Sequence, residues 1–153
     1  MTLNRRAVNR TLPERVGGYP VNYGFVPQTI SYDGDPFDVL VLGPPLEGAQ
    51  LVTGAIVGLM RMEDEKGLDS KVVISPTDSD GRPLYTMTPA EQQRIGMFFD
   101  HYKDWEKGKS SNVPGWGSVA EGQSYVATTH AFFKTCRDHV NRRCELATTP
   151  STP

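Results

Sequence analysis

The chain has 153 residues, 37% of them hydrophobic and 22% charged, with a formal net charge of −2. That length suits one domain, and the near-neutral charge offers no broad basic surface for nucleic acid or an anionic membrane. No apolar run reaches the ~18 residues of a membrane span, and MTLNRRAVNRTLPERV lacks the apolar segment of a secretory signal. Cys136 and Cys144, both near the end of the chain, are too few for a disulfide scaffold. Both are expected as free thiols in a reducing cytoplasm. With His130 or His139 they also lack the CxxC spacing of zinc sites.

In chain order, residues 1–18 form a basic, polar N-terminal segment ending in Gly17-Gly18. From 19 to 76 the pattern is β, with short apolar runs cut by Gly and Pro. Phe25-Val26 ends at Pro27. Val39–Leu42 reads as a buried strand, ended by Gly43-Pro44-Pro45. Leu51–Met62 is a longer run, in which Gly54 and Gly58 mark bends or close backbone approach. Lys71–Ser75 follows the acidic turn EDEKGLDS as a further strand. Strands this short suit a small barrel better than an open parallel sheet.

The second half is helical. Thr88-Pro89-Ala90-Glu91 is a capping box with proline at the first helical position. Ile95, Phe98, Phe99 and Tyr102 then recur at helical spacing. EKGKSSNVPGWGS reads as a loop, and Ala120 to about Arg143 as a second helix. The expected architecture is α+β: a small β barrel with two flanking helices over 19–143, and a disordered tail over 144–153.

The segment SYDGDPFDVL places Asp33, Asp35 and Asp38 within six positions. A turn explains Asp33-Gly34 but not the other two. Glu63-Asp64-Glu65 and Asp69 form a second acidic group just before Lys71. Crowded carboxylates need protons or cations between them. Oxygen donors without His or Cys point to Mg²⁺ or Mn²⁺, and such metals are commonly held by a few carboxylates plus a substrate phosphate. The calcium-loop pattern fails, since counting from Asp33 puts Asp38 at the glycine position and Pro44 at the glutamate position. A phosphate among carboxylates also needs cationic donors. Lys71, two residues after Asp69, would share its face on an extended chain. Tyr102-Lys103 ends the first helix, and Tyr19 and Tyr23 precede the aspartates. Lys107 and Lys109 read as solvated surface residues.

YPVNYGFVPQTISYDGDPFDVLVL resembles the signature region of the soluble, family I inorganic pyrophosphatases. The resemblance continues through RMEDEKGLDSK (61–71), FFDHYKDWEKGK (98–109) and the PGWG turn (114–117), covering roughly 19–140. It implies an OB-like barrel with helices outside, several Mg²⁺ ions per site, and hydrolysis of pyrophosphate to two orthophosphates by a metal-activated water. It also implies a homo-oligomer, commonly a hexamer. Matched position by position, Asp33, Asp38 and Asp69 would hold the tightest metal, and Asp38 would bridge to a second. Asp64 with Asp69 would hold a metal arriving with substrate. Asp35 would orient or deprotonate the attacking water. Lys71, Tyr102 and Lys103 would bind phosphate oxygens, with Tyr23 near the leaving group.

The family pattern has a few tens of residues ahead of the Tyr-Pro segment, forming early strands that supply a Lys and two Glu. Eighteen residues precede Tyr19 here, and none matches those. For the arginine expected upstream, Arg10 fits with a one-residue slip, and Arg15 is the other candidate. This short start favours a second reading, an impaired or non-catalytic pyrophosphatase-like protein that binds metal or phosphate. An oligonucleotide-binding barrel is disfavoured, because its groove would be basic where this chain is acidic.

Overall fold

The unbroken run after Asp38 forms a strand buried on both faces, as a sequence without polar alternation requires. The computed structural model describes residues 2–4, 19–47, 50–104 and 106–137. Its strands are β1 (Thr2–Asn4), β2 (Asn22–Phe25), β3 (Asp38–Val41), β4 (Leu51–Asp64), β5 (Gly67–Leu68), β6 (Lys71–Pro76) and β7 (Ser111–Gly117). The helices are α1 (Pro89–His101) and α2 (Val119–Arg137).

The strands make one mixed sheet. β3 and β6 run parallel, in the register Val39↔Val72, Leu40↔Val73 and Val41↔Ile74. The remaining strand pairs are antiparallel. Pairing passes along β1-β2-β3-β6-β4 and returns from β4 to β1. The join to β2 is a single register pair, Asn4↔Phe25. This is the small OB-like barrel expected, within an α+β fold. The sheet takes in residues ahead of Tyr19, at Thr2–Asn4.

Alternate side chains of β3 and β6 enter two different cores, because successive strand residues face opposite ways. Val39, Val41, Val72 and Ile74 join Phe37, Leu59 and Tyr125 of α2. Leu40, Leu42 and Val73 join Met60, Met62 and the α1 residues Ile95, Phe98 and Phe99. Each helix thus covers one set.

The capping box at Thr88 forms: Glu91 N donates to Thr88 Oγ1 and Thr88 N to Glu91 Oε2, both at 3.2 Å. Gly54 permits the backbone approach expected of it, since a Cβ there would lie 2.5 Å from the Ser75 carbonyl oxygen. At Gly58 the β4–β6 register shifts, which bends the long strand.

Two expectations change. Ser111–Gly117, read as a loop, is a strand pairing with β4 from Leu59↔Gly117 to Asp64↔Ser111. Its Pro114, Gly115 and Gly117 hide it, because they remove a donor and side chains that mark a strand. Cys136 is disulfide-bonded, so the free-thiol expectation does not hold for it. Two cysteines exclude a disulfide scaffold, but they do not exclude one bridge. Cys144, the tail 144–153 and the candidate arginines Arg10 and Arg15 lie outside the described residues. Among the described residues, no helix is long and apolar enough to cross a membrane.

Candidate active site

Asp38 opens β3 and Lys71 opens β6, and these strands are parallel neighbours in matched register. Residues 33 positions apart therefore meet at one end of the sheet. Lys71 Nζ donates to Asp38 Oδ2 at 2.9 Å and lies 3.2 Å from Asp69 Oδ2. Its side chain is 1% exposed. The expected shared face of Asp69 and Lys71 is thus observed. Tyr23, on β2 beside β3, donates its hydroxyl proton to the same Asp38 Oδ2 at 2.6 Å. The ammonium also sits 5.4 Å from the Tyr23 ring centroid.

The electrostatics follow from burial. Burial works against the Lys71 charge, but Tyr23, Asp38 and Asp69 outweigh it and hold Lys71 well above the ordinary lysine range. Burial is also the largest influence on Asp69, and the charges of Asp38 and Asp64 add to it. Against the opposing pull of Lys71, they push Asp69 up to about 6. One ammonium shared between two carboxylates does not fully compensate Asp69. Burial likewise raises Tyr23 well above its usual value; Lys71 opposes that rise and Asp38 reinforces it.

A second centre lies at the β4–β5 turn. Lys103 Nζ, just past the end of α1, contacts Asp64 Oδ2 at 3.0 Å and Glu65 Oε2 at 3.4 Å. Burial lowers Lys103, but Tyr102, Asp64 and Glu65 raise it further, so the net shift is upward. Tyr102 is buried, stacked on Phe98 and edge-on to Phe99. Sequence reading left Glu65 outside the site. Its Oε2 also accepts from Ser110 N at 3.3 Å, tying the loop after α1 to the turn. Its place in EDEKGLDS was the available signal. Lys109 pairs with Glu106 at 2.8 Å on the surface, the ordinary role expected of it.

The loop before β3 holds the remaining two acids. Asp33 Oδ1 accepts from Ser31 Oγ at 2.8 Å and from Asp35 N at 2.9 Å. The Asp35 carboxylate is exposed, and among the described residues no hydrogen bond or ion pair engages it. Among the described residues, no three His, Cys, Asp or Glu side chains converge as a ready metal cluster. The acids stand instead in groups separated by ammonium, Asp38 and Asp69 around Lys71, and Asp64 and Glu65 around Lys103. The donor set still fits a hard divalent cation. Every candidate ligand is a carboxylate oxygen, Asp69 reports negative charge left uncompensated, and Mg²⁺ binds through one or two carboxylates with water and phosphate filling the rest.

Residues 3–134 match the family model described as inorganic pyrophosphatase. The chain belongs to the inorganic pyrophosphatase family. The family match begins ahead of Tyr19, as the sheet does with β1 at Thr2–Asn4. The chain is 40% identical over 115 residues to the inorganic pyrophosphatase of Rickettsia prowazekii, covering 71% of this chain and 67% of that one. It is 44% identical over 112 residues to that of Xanthomonas campestris pv. campestris, covering 69% and 63%. The aligned part thus spans about two thirds of these relatives' length. Among solved structures, the inorganic pyrophosphatase from Thermus thermophilus superposes with a TM-score of 0.72 at 37% identity, covering 82% of this chain and 76% of that one. The one from Coxiella burnetii gives 0.69 at 38% identity, covering 75% and 73%. The family uses divalent metals, which agrees with the donor set.

Proposed function

We propose that this chain hydrolyses pyrophosphate to two orthophosphates, with Mg²⁺ as its cation. The observation that carries the reading is the buried Lys71, shared by Asp38 and Asp69 beside the Tyr23 hydroxyl, in a chain of the pyrophosphatase family. A buried cation between two acids is a costly arrangement that a binding site for anion and metal together explains.

Asp33, Asp38, Asp64 and Asp69 would hold the metal ions. Bound divalent cations would acidify water and neutralise phosphate charge. Asp35, exposed and unengaged among the described residues, accepts a proton from the attacking water. That water's oxygen bonds to one phosphorus while the bridging P–O bond breaks. Lys71, Lys103 and Tyr102 bind phosphate oxygens, assisted by Arg10. Tyr23 donates near the leaving group. A homohexamer, a cytoplasmic location, and the lack of nucleic-acid or membrane partners rest on the resemblance and the charge pattern. The Cys136 disulfide gives the cytoplasmic location no support.

Phosphate release from Mg-pyrophosphate tests this. Wild type is expected to turn over only with divalent metal, Asp38→Ala to be inactive, and Asp35→Asn to lose about a hundredfold or more in kcat, as removal of a general base does. A folded wild type without metal-dependent release overturns the reading. Full activity in Asp38→Ala overturns the site.

A further inference from the structure

The loop carrying Asp33 and Asp35 is braced from outside by α2, and the brace contains a strained residue. Val26-Pro27-Gln28-Thr29 turns with Gln28 at φ 56°, the one non-glycine among the described residues with positive φ. Proline followed by a left-handed residue is the geometry of a type II turn, which ordinarily selects glycine there. The Gln28 carbonyl oxygen lies 2.8 Å from Nδ1 of His130, on α2. A carbonyl only accepts, so Nδ1 carries the proton, whether the ring is neutral or charged.

Next to this bond, Ile30 N donates to the Thr129 carbonyl at 3.0 Å. Tyr32 meets Phe132 edge-on, and Phe37 stacks on Tyr125 at 5.8 Å. Within the loop, Thr29 Oγ1 donates to Val26 O at 2.6 Å and accepts from Phe37 N at 3.0 Å. The neck of the loop is therefore closed, and its outer limb rests on α2. Thr29 Oγ1 spans the turn from within, and among the contacts from α2 the His130 bond is the side-chain bond that reaches the left-handed residue itself.

We infer that His130 is a positioning residue for the metal-holding loop. By holding the Gln28 carbonyl, it keeps the turn in its left-handed form and so fixes where Asp33 and Asp35 are presented. This rests on the proposed role of Asp33 as a metal-holding carboxylate. His130 touches neither metal nor substrate; it acts through the turn.

The test compares His130→Ala, His130→Asn and Gln28→Gly in the full chain. Two readouts are taken without pyrophosphate, namely Mg²⁺ affinity by titration calorimetry and amide hydrogen exchange at Ile30. His130→Ala is expected to weaken Mg²⁺ affinity about two- to tenfold, the effect of losing one neutral hydrogen bond, and to speed exchange at Ile30. In His130→Asn the side-chain amide stands in for Nδ1, and both readouts return towards wild type. In a Gln28→Gly background, where the turn is free of strain, removing His130 has a smaller effect. The inference is overturned if His130→Ala changes neither readout, lowers the melting temperature alone, or has the same effect in both backgrounds. Absence of pyrophosphate turnover in wild type would overturn the proposed function and leave these two readouts to judge His130.

Discussion

Lys71 Nζ lies 2.9 Å from Asp38 Oδ2 because each residue opens one of two adjacent parallel strands. Neither residue is near the other in sequence, and both sit one place ahead of a buried apolar run. The strand pairing that builds the core also delivers the charge pair.

Removing Lys71 should be costly. Lys71→Met leaves Asp38 and Asp69 facing each other without their shared cation, and breaking a buried pair in this way costs about 3 kcal/mol or more. Denaturant unfolding without metal checks it. Mg²⁺ should restore more stability to the variant than to wild type, since a bound cation compensates the same two acids. Equal Mg²⁺ effects in both proteins would contradict this.

Asp69 predicts a pH dependence. Its folded value is raised from 3.8 to about 6, so the folded state holds the proton more tightly than the unfolded chain does. Its contribution to stability is full below pH 3.8 and is lost as pH rises through about 6. In chelator, the melting temperature of wild type relative to Asp69→Asn should therefore fall across that window. A difference that stays flat with pH would show that Asp69 is not perturbed.

Lys103 should matter for substrate more than for folding. It stands at the end of α1 and holds Asp64 and Glu65. Lys103→Ala is expected to raise KM for pyrophosphate by about tenfold or more, as loss of a charge-assisted bond does. Glu65→Gln should have a smaller effect on KM, because it weakens only the tie to Lys103 and Ser110. Steady-state kinetics of the two variants distinguish these roles.

Gly54→Ala should destabilise the fold without touching the chemistry. Its new Cβ would press against the Ser75 carbonyl in the neighbouring strand. Overpacking of this kind costs about 1–3 kcal/mol. Thermal unfolding should show the loss, while kcat at a permissive temperature stays near wild type.

Local chemistry alone specified much of this protein. The Thr88 capping box, the buried run after Asp38, and the shared face of Asp69 and Lys71 each depend on neighbours within a few residues, and each appears as read. The acidic and basic residue types also announced a phosphate and a hard metal. Tertiary structure decided the rest. β7 exists because β4 offers it a partner, despite a proline and two glycines that argue against a strand. Glu65 enters the site because the end of α1 lands beside the β4–β5 turn. Cys136 is bridged although cysteine count gave no sign of it. The sequence sets Lys71 on the face of Asp69; only the parallel pairing of β3 with β6 brings Asp38 to the same ammonium and makes it a buried cation between two acids. Backbone hydrogen bonds and side-chain periodicity act over short distances, whereas the meeting of distant charges depends on which strands become neighbours.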